Sequence, residues 1–251
     1  MRVSAVLITH DAAAHLDRCL TSLAWCAEIV VLDQQSSDGT LEICARHGAR
    51  VEQGEWLGFG RTKAAAAALA TNRWILSIDS DEEVSEELRD AVMALPDEVD
   101  PAAYRVNRLS RFLGRWIRHC GWHPDRIVRL FDRDRAGFNE ATVHEAIETG
   151  GEVADLPGLL LHRTYDDFGQ FMRKQDHYTT LGAAGAVAAG RQTSLLGAVV
   201  RAKFMFFRTY VLQAGFLDGW HGLVLCCGMA VSTLMKYVKI WQAGRGPVDG
   251  S

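Results

Sequence analysis

Three short apolar runs, residues 3–8 (VSAVLI), 28–32 (EIVVL) and 74–78 (WILSI), constrain the chain most. Each is separated from the next by a stretch with helical spacing, the first through Leu16, Cys19, Leu20 and Leu23 and the second through residues 41–45, ending at Gly48. Residues 51–52 fit a short further strand, and residues 62–70 an alanine-rich helix. Runs apolar on both faces and alternating with helices predict an α/β fold: a mainly parallel sheet flanked by helices. In such sheets ligands gather beyond the carboxyl ends of the strands. Thr9, Asp33 and Asp79 stand there.

Beyond this core, Ser85 opens a helix whose first turn carries Glu86 and Glu87, favourable against the helix dipole, and Pro96 follows its end. Residues 104–108 and 158–162 (GLLLH) read as strands, and everything from Asp166 onward as helices. The expected division is a catalytic domain over 1–165, with halves of about 1–95 and 96–165, and a C-terminal amphipathic helical region over 166–251. With 251 residues, 48% hydrophobic and 23% charged, the chain has enough apolar material for a sizeable core and is not disordered. Six scattered cysteines without CxxC spacing read as small buried hydrophobes in a reducing compartment.

The net charge of −4 conceals a split. After Val187 there are seven basic residues against two acidic ones, a net +5, so the preceding part carries −9. That balance argues against a nucleic-acid partner and for a tail that meets an anionic membrane surface. The tail holds two apolar stretches, 195–217 and 223–241, edged by Arg208, Tyr210, Trp220, Lys236, Tyr237, Lys239 and Trp241, as in interfacial anchoring. The 13-residue apolar core at 223–235 is shorter than the ~20 residues a bilayer span takes, so helices lying on the interface are expected. A plain helical subdomain, or a homo-oligomer interface through these helices, is the alternative.

Asp79-Ser80-Asp81 directly after a buried run is the strongest chemical signal. Two carboxylates one residue apart at a sheet's carboxyl edge can be shared between a ribose hydroxyl and a divalent cation that bridges phosphates. The Gly58-Phe59-Gly60 segment before Arg61 and Lys63 matches neither a dinucleotide fingerprint nor a P-loop.

The ordered segments ITHDAAAHL, EIVVLDQQSSDGT, WLGFGRTKAAA and WILSIDSDEEVSEELR resemble the nucleotide-sugar-binding segments of family 2 glycosyltransferases, which have a GT-A type fold. The segments GRWIRHCGWHPDRIVRLFDR, ATVHE, LLLHRTYDDF and GFLDGWHG are similar to the bacterial branch that adds glucose to a heptose of the lipopolysaccharide inner core. The resemblance covers roughly residues 3–241. It implies that Thr9, His10, Asp33, Asp38, Lys63, Asp79 and Ser80 hold the nucleotide-sugar, that Asp81 and His162 hold Mg2+ or Mn2+, and that Glu145 is the base. Asp125 is the rival base. Trp116, His119, Trp122, Arg126 and Arg129 are the implied acceptor-binding residues, from a segment whose aromatic and arginine density suits sugars and phosphates.

The implied activity is inverting transfer of a hexose, glucose from UDP-glucose, onto a heptose or similar sugar of a lipid-linked lipopolysaccharide core acceptor. The expected location is peripheral, on the inner face of the bacterial cytoplasmic membrane. A polyprenyl-phosphate glycosyltransferase and a non-catalytic membrane scaffold in envelope assembly are the alternatives.

Overall fold

The computed structural model describes residues 1–139 and 146–245. It divides into two compact units: Met1–Leu109 with Asp125–Arg163, and Ser110–Pro124 with the chain from Thr164 onward.

The first unit opens with β1 (Val3–Thr9), α1 (Ala13–Ser22), β2 (Glu28–Asp33), α2 (Thr40–Arg46), β3 (Arg50–Gln53), α3 (Phe59–Leu69) and β4 (Trp74–Ser77). It continues with β5 (Glu82–Val84), α4 (Glu86–Met93) and β6 (Ala103–Phe112), whose last residues enter the second unit along with β7 (Arg115–Trp116). The chain returns as β8 (Asp125–Asp132), β9 (Ala136–Phe138), β10 (Ile147–Thr149) and β11 (Val153–Tyr165).

Among the described residues the main sheet has nine strands in the order β3-β2-β1-β4-β8-β6-β11-β5, with β7 on β6. Strands β3, β2, β1 and β4 are parallel, as the continuous apolar runs predict. From β4 outward three pairings are antiparallel: β8 on β4, β8 on β6, and β5 on β11. The sheet is therefore mixed. Its two halves differ because the first is built from strand–helix–strand crossovers and the second from strands whose sequences alternate, so that one face can be polar.

Alternation along β1 distributes the core. Val3, Ala5 and Leu7 pack with Leu16, Cys19 and Leu20 of α1 and Leu88 and Val92 of α4. Val6 faces the other way, with Val30, Ile75, Phe131 and the small residues Ala66 and Ala67 of α3. Between the DSD segment and α4 the sequence gives no strand, yet β5 forms because Glu82–Val84 pairs with Leu160–His162 of β11. Ser85 then caps α4, its Oγ accepting from the Leu88 N–H at 3.2 Å. Gly158, at φ +89°, lies so close to the Leu88 backbone that a Cβ there would collide with it.

The second unit adds α5 (Phe168–Ala188), α6 (Leu195–Phe207), a π-helical turn (Arg208–Leu212), a 3-10 turn (Gly215–Asp218) and α7 (Gly219–Ala243). Its core joins Phe112, Ile117, Cys120, Tyr165, Phe171, Leu225 and Cys226. The tail helix is longer than the apolar core at 223–235 implies. Gly215–Ala243, with a mean hydropathy of 1.6 over an 18-residue window, is long and apolar enough to cross a bilayer by length and composition.

Candidate active site

In the first unit, the carboxyl ends of the parallel strands are held open by loops that the carboxylates tie down. Asp33, closing β2, is fully buried and uses both oxygens. Oδ1 accepts from Thr9 Oγ1 at 2.8 Å and from Ser36 Oγ, and Oδ2 accepts from the Ser36 N–H at 2.9 Å and Gln53 Nε2 at 3.2 Å. Asp38 serves two helix starts at once. It accepts from the Ala13 N–H at the start of α1 and from the Thr40 N–H at the start of α2, both at 3.0 Å. The Thr40 hydroxyl bond, working against slight burial, holds its carboxyl below the usual range. His10 is exposed, with Nδ1 2.9 Å from the Gln34 carbonyl.

Above this floor lies a cavity of about 680 Å³, lined by Ile8, Thr9, His10, Gln34, Gln35, Gly54, Glu55, Trp56 and Phe59. Trp56 is 51% exposed and meets Phe59 edge-on at 4.7 Å. Of the predicted nucleotide residues, Thr9 and His10 line this cavity. Gln35, Trp56 and Phe59 fall in the segments that resemble donor-binding ones, but none of them is among the site residues assigned from the sequence. A tryptophan and a phenylalanine three residues apart in a polar, glycine-containing loop were the available signal.

The DSD segment forms a second cluster. Asp79 takes Lys63 Nζ at 2.7 Å and Arg129 at 2.6 Å, and its N–H donates to Glu82 Oε2 at 3.0 Å. Glu82 is fully buried and accepts from the same Arg129 nitrogen at 2.6 Å, with Arg108 at 3.4 Å. Burial pushes the Asp79 carboxyl up, but the Arg129 and Lys63 cations more than reverse it and hold it well below the usual carboxylate range. Burial likewise opposes the charge on Arg129, and its two carboxylates raise it above its ordinary value. Lys63 and Arg129 are thus spent on Asp79 and Glu82, a pairing that the sequence reading assigned to neither. Cys19, whose Sγ lies 3.6 Å from the Asp79 carbonyl, is pushed far up by burial and by these acids, so its thiol stays protonated.

Asp81 and His162 come together: Oδ2 and Nε2 are 3.2 Å apart, with side chains 32% and 13% exposed. The register explains it, since His162 pairs with Glu82, the residue after Asp81, and the Arg163 N–H donates to the Asp81 carbonyl at 3.0 Å. Among the described residues no group of three or more His, Cys, Asp or Glu side chains gathers as a ready metal cage. One carboxylate and one imidazole nonetheless fit a divalent cation that takes its remaining ligands from substrate phosphates and water. Ser80 is half-buried between the two aspartates.

Of the implied acceptor residues, Arg126 reaches Asp155 at 3.4 Å in the first unit, and Arg129 belongs to the Asp79 cluster. Asp125, the rival base, is paired with Arg108 at 2.8 Å. In the second unit, Trp122 packs edge-on to Phe112 at 6.0 Å and is tilted against Tyr165 at 6.2 Å. His119 donates its N–H to Asp218 at 2.8 Å, with its ring also against that carboxylate at 3.3 Å. Trp116 pairs with Arg111 across β6 and β7. Glu145 lies outside the described residues.

Residues 4–151 match the family model described as Glycosyl transferase family 2. The chain is 25% identical over 252 residues to an uncharacterized glycosyltransferase of Rickettsia typhi, covering 95% of this chain and 86% of that protein. It is 27% identical over 250 residues to the lipopolysaccharide core biosynthesis glycosyltransferase LpsC of Rhizobium meliloti, covering 96% of this chain and 92% of that one. Among solved structures, S. aureus TarS in complex with UDP-GlcNAc superposes with a TM-score of 0.48 at 14% identity, over 98% of this chain and 92% of that chain.

Proposed function

The chain belongs to glycosyl transferase family 2, and we propose that within it the protein is an inverting hexosyltransferase of lipopolysaccharide core assembly. The proposed donor is UDP-glucose and the proposed acceptor a heptose or similar sugar on a lipid, reached from the inner face of the cytoplasmic membrane. The observation that carries the reading is the meeting of Asp81 with His162 at 3.2 Å, beside an Asp79 held ionised at the sheet's carboxyl edge. A relative named for lipopolysaccharide core biosynthesis, aligned over nearly the whole of both chains, supports the acceptor class.

In this reading Thr9, His10 and Trp56 border the nucleoside, with Asp33 and Asp38 fixing the loops around it. The Asp79 carboxylate, held in place by Lys63, and Ser80 face the ribose. Asp81 and His162 would hold Mg2+ or Mn2+, which when bound offsets the charge gathering on the departing UDP. Glu145, assigned from sequence, takes the proton as the acceptor oxygen bonds to the anomeric carbon and the bond from that carbon to the diphosphate oxygen breaks. Inversion follows from attack on the face opposite the leaving group. Trp116, His119, Trp122 and Arg126 remain proposed acceptor contacts.

The test is UDP-glucose turnover by purified protein with Mg2+ or Mn2+, alongside the Asp81→Ala variant. Loss of roughly 100-fold or more in the variant is expected, with failure to restore the core sugar in a strain deleted for the gene. An unchanged core from Asp81→Ala cells would refute the proposal.

A further inference from the structure

In the second unit, α6 and the turn after it expose an apolar stripe that none of the unit's described residues covers. Leu196 is 74% exposed and Phe204 59%, with Val200 and Phe207 beside them. At 3.6 residues per turn these four fall within about 80° of arc. Ala198, on the opposite side of α6, is fully buried. Beyond α6, Leu212 is 64% exposed and Trp220 of α7 61%. The same wheel sets Lys203 at one border of the stripe and Arg201 and Arg208 at the other, all exposed. From Leu195 to Leu217 there is no acidic residue.

We propose that this face is an in-plane docking surface for an anionic lipid bilayer, and that the chain lies on the membrane without crossing it. The inference rests on the lipid-linked acceptor proposed above and adds the surface that would reach it. Charge complementarity selects the occupant. A bilayer carrying anionic headgroups offers hydrocarbon to the stripe and negative charge to both of its borders. A second copy pairing through the same face would set cations against cations.

Two contacts speak against α7 as a span, although its length and hydropathy allow one. Lys239 Nζ is held by α5, at 2.6 Å from Asp176 and 2.7 Å from Thr180 Oγ1. Gly228 lets Phe171 of α5 sit against α7, since a Cβ there would meet the ring at 2.5 Å. A spanning α7 would thus draw α5 with it, and α5 exposes Arg173, Lys174, Asp176 and His177, charges that hydrocarbon penalises.

The full chain is mixed with vesicles of phosphatidylcholine alone, or of phosphatidylcholine and phosphatidylglycerol in equal parts, and sedimented. Pelleting with the anionic vesicles is expected, weakened by salt. Phe204→Ser with Phe207→Ser should lower the partition coefficient roughly tenfold or more, and Lys203→Gln with Arg208→Gln by roughly fivefold per charge. Circular dichroism and melting temperature report whether the variants fold, and the surface cation pair serves if the phenylalanine pair does not. Wild-type protein left in the supernatant overturns the proposal, as does unchanged pelleting of both double variants. So does light scattering that shows a dimer which the phenylalanine variants dissociate, without vesicle binding. Retention in cell membranes through an alkaline carbonate wash overturns the in-plane placement. UDP-glucose hydrolysis in solution should be unaffected by the phenylalanine variants. If wild-type protein binds vesicles but turns over no nucleotide-sugar, the functional reading fails and the docking surface stands.

Discussion

At the scale of single residues, Arg129 is the member on which the carboxylate edge depends, because one of its nitrogens bridges the fully buried Glu82 and Asp79. Replacing it by methionine leaves buried negative charge without its main partner, which costs roughly 3–5 kcal/mol. The Arg129→Met variant should therefore show a markedly lower urea midpoint. Trp56 makes the opposite kind of prediction. Half exposed at the mouth of the cavity, it contributes little to folding, so Trp56→Ala should leave the melting temperature nearly unchanged. UDP binding measured by calorimetry should weaken by about 1–3 kcal/mol, the usual loss when a base is deprived of an aromatic platform. That Asp33 and Asp79 stand at or just past strand ends was legible from the apolar runs before them. Arg129 was read as an acceptor ligand because its true partners are some fifty residues away along the chain. That proximity comes from β8 pairing with β4, an antiparallel contact that no local pattern announces.

At the scale of elements, local signals worked where the determinants are local. Ser85-Glu86-Glu87 marked the start of α4, and its hydroxyl does cap the helix. What sequence could not supply was β5, three residues that become a strand only because β11 lies alongside. Gly158 belongs to the same contact. A methyl there meets both the positive φ penalty and the Leu88 backbone, so Gly158→Ala should destabilise by roughly 2 kcal/mol or more. An equilibrium denaturation curve measures it, with Gly150→Ala, where a Cβ meets nothing within 4 Å, as the mild comparison. The helical tail was read correctly as apolar and basic. The length of α7 was not, because Gly222 before the 223–235 run and Lys236 after it bound that core in the sequence, whereas the helix continues through both.

For the whole molecule, acid is the condition that tests its ion pairs together. Asp132 is fully buried. Burial raises its carboxyl, and the Arg73 guanidinium and the Asp134 N–H outweigh this and hold it below its ordinary value. Glu28 is lowered in the same manner by Thr71 and Ser4. Groups depressed in the folded state contribute stability above their unfolded values, near pH 4, and that contribution is lost as pH falls through the lower folded values. The melting temperature should thus be flat from neutrality to about pH 5 and fall steeply below pH 4. Asp132→Asn should be less stable at pH 7 and show a shallower acid slope. The arrangement of α6 has a kinetic consequence as well. Charges at the borders of the stripe act over a Debye length of roughly 8 Å, whereas its phenylalanines act only on contact. The cations therefore govern how often the protein finds a surface, and the aromatic rings govern its residence time there. Ionic strength should alter the rate of arrival far more than the rate of departure.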